Sequence, residues 1–506
     1  MKTSTFTFFC NNNMDMDQQT LINRATGGRE RNREDDFRPG WFYHLVDDPF
    51  WIYCQHHVSE GKAVDETTLY DEHLMQKGVE WEAYWVNKHF PDALDLKGTW
   101  GKKGLRKTIQ AMCQGIRAIH GASLWLLPED VHGKADLLVR DGSHASDLGP
   151  YHYRLKEIKS SSSLKEYHKL QAALYNRILG KIQGYTPGTF EVILGEDTDN
   201  VETSFHDVVG ELEEQLEHWR RIRDGDITPT PNGYDRTGSP WRKYGNKLLQ
   251  ERNDVTLIPG IGKGTRRRLK EEGITSYTDF IELGEQGAIK RFGEDGKHYY
   301  WHAKAHQKGE PIFPPGTSAS IKRRDRIVHF DVEDTTVVDG DVITRSHTYM
   351  LGAALPDGTT RIWTAQGEET EMRMWEGFLD WLGDPSDVAL YCWTMYEEGK
   401  IEQAAEDHPE LEDRLLEAKE ALIDLKEEVK HQPYFPVPTY SIKSVAPVCG
   451  FKWSQDDVDG LSAGVMYKEW LETGDDTIIE KVQQYNREDV LAMLAVDEKV
   501  RELSNQ

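Results

Sequence analysis

A chain of 506 residues is too long for one ordinary core and predicts three or four folded units. The apolar share of 38% with 15 tryptophans is that of a globular protein, and no apolar run approaches the roughly 18 to 20 residues that a membrane span needs. The opening MKTSTFTFFCNNN lacks the apolar stretch of a secretory signal, and five scattered cysteines without a CxxC pair argue against a zinc ribbon or a disulfide framework. The expectation is a cytoplasmic protein with no membrane partner, whose cysteines are mostly small buried apolar residues.

A formal net charge of -26 runs against a general grip on nucleic acid, because neutralisation of phosphates by Lys and Arg dominates such affinity. Its distribution matters more than its total. Between Asp235 and Lys270 ten basic residues face only Asp235, Glu251 and Asp254. On charge alone that reversal fits a solvated face as well as a phosphate grip.

In chain order, residues 1–36 are polar and without period, and predict a flexible leader. Residues 37–235 predict one α/β unit. A helix is expected from about Thr68 to Phe90, strands over Lys134–Arg140, Tyr151–Lys159 and Thr189–Leu194, and helices over Leu164–Leu179 and Asn200–Arg223. Within this unit GVEWE puts Glu82 on a helix and GKADLLVR puts Asp136 on a strand. YRLKEIKSS puts Glu157 and Lys159 two apart on one strand face, and Gln171 and Tyr175 fall four apart on the next helix. Two acids beside a lysine can hold a divalent cation and water next to a phosphodiester while the ammonium stabilises developing charge. Alone, E-x-K is more often a solvated strand edge.

As an ordered set these elements resemble the PD-(D/E)XK nucleases, and particularly their RecB-like branch. The resemblance implies a restriction-endonuclease-like core, metal binding by Glu82, Asp136 and Glu157, a catalytic role for Lys159, and positioning by Gln171 and Tyr175. Many relatives clamp an iron–sulfur cluster with cysteines. Here Cys54 and Cys113 are too few and too scattered, so no cluster is expected.

Residues 236–315 predict a small all-α module. LIPGIGKGTRRRLKEEGITSYTDFIEL reads helix, glycine turn, helix, and Gly260 and Gly262 permit backbone that a side chain would oppose and a close approach to phosphate. Lys263, Arg266, Arg267, Arg268 and Lys270 follow directly. A hairpin that merely packs is the plainer alternative. The segment resembles the helix-hairpin-helix motif, which implies sequence-independent contact with the DNA backbone.

After the Pro-rich joint, residues 316–506 predict a strand meander followed by helices. In RIVHFDVED, alternation sets Val328, Phe330 and Val332 on one face and His329, Asp331 and Glu333 on the other. YNREDV places Tyr485 and Asp489 one helical turn apart, and ALYCWTMYEEGK offers Glu397 beyond an apolar strand. Carboxylates crowded together repel unless cations neutralise them, so a two-metal site is the economical explanation of the set, although D-x-E alone is more often part of an acidic halo. The region resembles RNase H-like DEDD exonucleases of the tyrosine-bearing subclass. That implies binding of two Mg²⁺ or Mn²⁺ ions by Asp331, Glu333, Glu397 and Asp489, with Tyr485 orienting the attacking water. Glu397 departs from the usual Asp by one methylene.

The whole order, from about residue 37 onward, resembles a bacterial and archaeal family of RecB-like nucleases with a middle helix-hairpin-helix and a C-terminal RNase H-like domain. It implies an α/β multidomain nuclease that hydrolyses DNA, exonucleolytically, at two separate sites, in repair, recombination or defence against foreign DNA. Its expected partners are single- or double-stranded DNA and other proteins of such a complex. The alternatives are a nucleic-acid-binding scaffold with only one active site, and an RNA-processing nuclease.

Overall fold

Leu21, Ile22 and Ala25 stand at helical spacing and belong to the first hydrophobic core. The computed structural model describes residues 10–195, 200–335, 338–339, 342–343, 346–455 and 458–505. In it, helix α1 (Cys10–Thr26) packs against the later helices of the N-terminal unit. The expected flexible leader is therefore corrected for residues 10–26, because that short stripe has apolar surface to cover; residues 1–9 lie outside the described residues.

Helix α2 (Leu69–His89) starts at a capping box in which the Thr68 hydroxyl and the Asp71 carboxylate satisfy each other's backbone N–H groups. A six-stranded mixed sheet follows in sequential order: β1 (Leu94–Asp95), β2 (Ala118–Leu126), β3 (Val131–Asp141), β4 (His152–Ile158), β5 (Thr189–Ile193) and β6 (Val201–Ser204). Helix α3 (Gly101–Cys113) lies between β1 and β2, and α4 (Glu166–Gln183) makes the crossover that lets β4 and β5 run parallel. The helix expected from Asn200 begins later, as α5 (Phe205–Arg223), because Val201–Ser204 pair with β5 instead.

The boundary expected at 235 also moves. Trp241 is buried in the first core, and the Asp65 carboxylate accepts from the backbone N–H of Arg242 (2.6 Å) and of Lys243 (3.0 Å). Helix α6 (Arg242–Glu251) thus packs on the N-terminal unit, and the middle module starts after it. That module comprises α7 (Lys263–Glu271), α8 (Tyr277–Phe292) and α9 (Glu294–Lys308) around Val255, Ile258, Leu269, Phe280 and Ala303.

The C-terminal unit is built on a five-stranded mixed sheet of β7 (Arg326–Asp334), β8 (Thr348–Ala354), β9 (Thr360–Thr364), β10 (Val388–Cys392) and β11 (Leu422–Asp424), in the order β9-β8-β7-β10-β11. Central β7 runs antiparallel to β8 and parallel to β10. Helices α10 (Glu371–Leu382), α11 (Tyr396–Asp407), α12 (Ile442–Val448), α13 (Gly460–Thr473) and α14 (Asp476–Ser504) flank it, with two shorter helices over Glu412–Lys419 and Leu425–Val429. Val328, Phe330 and Val332 enter a core with Phe378 of α10, while the other face of β7 meets α14. A Cβ on Gly352 would lie 2.1 Å from Asn486 Oδ1, so this glycine lets α14 come down onto the sheet.

Candidate active sites

The C-terminal acids converge because a strand and a helix cross. Period-two alternation aims Asp331 and Glu333 of β7 at α14, and helical spacing puts Tyr485, Asn486 and Asp489 on the α14 face that meets them. Asp331, Glu333 and Asp489 each offer an oxygen within 4.8 Å of the others. Burial, then the neighbouring carboxylates, pushes Asp331 and Glu333 well above the ordinary range.

Three further side chains complete this group, and two of them, Lys443 and Trp453, lie too far along the chain for local spacing to reveal. Asn486 Nδ2 donates to Asp331 Oδ2 (2.6 Å), Trp453 Nε1 donates to Asp489 Oδ1 (2.6 Å), and Lys443 Nζ reaches the same oxygen (3.1 Å). The Lys443 ammonium also stands 4.0 Å from the Trp453 ring centroid and 4.4 Å from that of Tyr485. Tyr485 is buried, and burial and then the surrounding acids hold its phenol far above its usual range, so it keeps its proton and cannot act as a free base.

Glu397 stands apart from the compact set. It lies in the first turn of α11, where burial, and then the repulsion of Asp424, pushes its carboxyl up to about 8. Its buried Oε2 has no hydrogen-bond partner among the described residues. An orphaned carboxylate oxygen beside an all-oxygen donor set fits a hard divalent cation.

The N-terminal acids meet along a ladder. The antiparallel register Leu137↔Lys156 carries Asp136 and Glu157 to adjacent strand positions, and Asp136 Oδ2 accepts from Ile158 N (2.8 Å). Glu157 Oε1 accepts from Lys159 Nζ (2.9 Å) and Gln171 Nε2 (2.7 Å), while its buried Oε2 has no partner among the described residues. Burial, then Glu157, raises Asp136 well above the carboxylate range. Burial alone would lower Lys159, but Glu157 and Asp136 outweigh it and hold the ammonium charged.

Tyr175 bonds the sheet rather than an acid: its hydroxyl accepts from Lys134 N (3.2 Å). A Cβ on Gly133 would sit 2.8 Å from that oxygen, which gives the glycine of GKAD a steric reason. Glu82 lies near the pair, but both its oxygens are engaged, by Lys97 Nζ (2.9 Å) and His120 Nε2 (2.8 Å). These contacts outweigh its burial and hold its carboxyl low. His120 and Lys97 left no sequence signal, the one inside a fully buried strand and the other in a loop.

In the middle module Gly260 has φ +85°, as a turn glycine should, whereas Gly262 has the extended φ of -86° and ψ of -179° that any residue adopts. The conformational reason expected for Gly262 is corrected; only room for close approach remains. Arg266 is committed internally, to Asp254 Oδ2 (2.6 Å) and to the Pro231 carbonyl (2.6 Å). Lys263, Arg267, Arg268 and Lys270 are exposed. A cleft of about 880 Å³ runs from Gly260, Thr265 and Arg268 to Trp393, Thr394 and Tyr440 of the C-terminal unit.

No helix among the described residues is long and apolar enough to cross a membrane. Comparison with curated proteins finds no match. The family model RNase_H_2, of the RNase H superfamily, matches residues 328–501, a span that holds Asp331, Glu333, Glu397, Tyr485 and Asp489. The C-terminal domain is thus RNase H-like, a likeness that suggests a nuclease-type activity.

Proposed function

We propose that the protein is a metal-dependent deoxyribonuclease with two sites, of which the C-terminal one is an exonuclease centre. The observation that carries the reading is the convergence of Asp331, Glu333 and Asp489 within 4.8 Å, at raised affinity for protons. Acids held so close are stable as anions only beside cations. These three, with Glu397 approaching from α11, would hold Mg²⁺ or Mn²⁺, and such ions when bound supply Lewis acidity toward a phosphodiester. Asn486 fixes the orientation of Asp331, and Lys443 offsets part of the negative charge at Asp489. Tyr485 keeps its hydrogen for a hydrogen bond at the site, which suits the orienting of a water.

The N-terminal set supports a second nuclease centre of PD-(D/E)XK type. Asp136 and Glu157 supply ligand oxygens, Gln171 orients Glu157, and Lys159 holds its charge where a scissile phosphate would lie. The helix-hairpin-helix turn, with Arg267, Arg268 and Lys270, would hold the DNA backbone, and the adjoining cleft supports delivery of a strand toward the C-terminal acids. A role in repair, recombination or defence fits such a pair of activities. One observation favours the alternative with a single working site: both oxygens of Glu82 are taken by Lys97 and His120, which leaves two acids for metal there.

The test is digestion of end-labelled single- and double-stranded DNA and RNA with Mg²⁺ or Mn²⁺. Short products released from DNA and abolished by EDTA are expected. Cooperatively folded protein that cuts only RNA, or nothing, contradicts the reading.

A further inference from the structure

Trp100 is 72% exposed, more than any other large apolar side chain described. An indole left in water forgoes a large burial gain and presents an open aromatic face. Its ring is held rather than loose. Lys134 Nζ stands 4.0 Å from the ring centroid, and the same ammonium donates to the carbonyl of Lys97 and to that of Thr99 (3.0 Å). Lys134 lies two residues before Asp136 on β3 and so projects from the same face, while Lys97 reaches Glu82. The indole therefore borders the N-terminal acids.

The charge beside it is equally specific. Directly after Trp100, GKKGLRK opens α3 with four basic residues and no acid, in a chain whose net charge is -26. Lys102 pairs with Glu30, but Lys103, Arg106 and Lys107 are exposed and form no ion pair with described residues. Gly104 locks this helix to Thr99 and β2: a Cβ there would lie 2.9 Å from the Thr99 carbonyl oxygen and 2.5 Å from Ser123 Oγ. The basic face and the indole are thus fixed relative to each other.

We propose that Trp100 together with Lys103, Arg106 and Lys107 forms a binding subsite for single-stranded polynucleotide that feeds the N-terminal acids. An unpaired base stacks on the indole, and consecutive phosphates lie along the basic face. A duplex end keeps its bases stacked on one another and gains little from the ring. An acidic peptide would meet the charges but leave the exposed aromatic face without a planar partner. The purpose of the subsite rests on the nuclease reading of those acids; its binding does not.

The experiment uses the full chain in EDTA and a fluorescein-labelled oligothymidylate, read by anisotropy, with a blunt duplex of matched length beside it. Trp100→Ala should weaken oligothymidylate binding about tenfold and Trp100→Phe much less. The triple alanine change at Lys103, Arg106 and Lys107 should lower the salt slope by roughly 0.7 for each phosphate left without its cation. Unchanged affinity in Trp100→Ala, or an equal loss on the duplex, overturns the proposal. Photocrosslinking of wild-type protein to a 5-iodouracil oligonucleotide is independent of how the variants fold: a crosslink at Trp100 supports the subsite, and crosslinks only elsewhere overturn it. Cleavage by Asp331→Asn that is unchanged when Asp136→Asn is added would sink the nuclease reading of the neighbouring acids without touching these binding results.

Discussion

Asn486 on the last helix donates to Asp331 on the first C-terminal strand across 2.6 Å, and Gly352 on the neighbouring strand leaves room for that contact. Carboxylates that bind metal depend on such partners for their orientation, and losing one typically costs about 10- to 100-fold in metal affinity or activity. Asn486→Leu should therefore lower C-terminal nuclease activity by about that factor while cation-titrated activity shifts to higher Mn²⁺. Gly352→Ala should do the same and also destabilise the fold by about 1–3 kcal/mol through overpacking. Steady-state rates across a Mn²⁺ titration, with thermal melts, decide it; wild-type metal dependence in Asn486→Leu would show that Asp331 needs no such anchor.

The basic helix of the middle module divides into structural and available charges. Arg266→Ala breaks a largely buried pair with Asp254 and should cost about 1.5–3 kcal/mol of stability. Arg267, Arg268 and Lys270 are exposed, so changing all three to alanine should leave the melting temperature nearly unchanged. The same change should reduce the slope of log affinity for duplex DNA against log salt by about 0.9 per phosphate no longer neutralised. An unaltered salt slope would reject this face as a phosphate grip.

The contact between α9 and the C-terminal domain should be acid-sensitive. His302 lies within 5.3 Å of His431 and 5.0 Å of Tyr434 by ring centroids, and its Nε2 has no partner among the described residues. Burial, then His431, holds it well below its ordinary 6.5, with His298 and His306 adding to the same effect. The unfolded chain accepts a proton near 6.5 that the folded chain refuses, so stability is complete above that pH and falls as pH drops toward the folded value. For this one buried group the loss is about 1.4 kcal/mol per pH unit. His302→Leu should flatten the decline of urea-unfolding stability between about pH 6.5 and 4.5 relative to wild type. Parallel curves for the two proteins would remove His302 as the cause.

What the sequence revealed follows from how local each signal is. Asp331 with Glu333, and Tyr485 with Asp489, declare themselves through strand and helix periods, and the structure sets those pairs face to face. Lys443 and Trp453 also touch Asp489 but lie 46 and 36 residues away, joined to it only by the fold. Strand β2 escaped notice because all nine of its residues are buried, which erases the alternation of a half-exposed strand and hides His120 with it. Glu82 was legible as an acid near Asp136, yet not its capture by Lys97 and His120. Residues 10–26 read as polar leader because only Leu21, Ile22 and Ala25 carry the apolar stripe that docks the helix on the first core.

Whether the C-terminal acids cut DNA is read most directly from the products of Asp136→Asn, Asp331→Asn and the double variant, followed in time on one end-labelled strand with Mn²⁺. Each single change removes a charged oxygen donor on a different domain, and a loss of about a hundredfold or more in one product series is expected from each. Asp136→Asn should keep the stepwise shortening assigned to the C-terminal site, Asp331→Asn should lose it, and the double variant should be inert. Full stepwise digestion by folded Asp331→Asn would contradict the assignment and leave the RNase H-like domain without a catalytic role in this reaction.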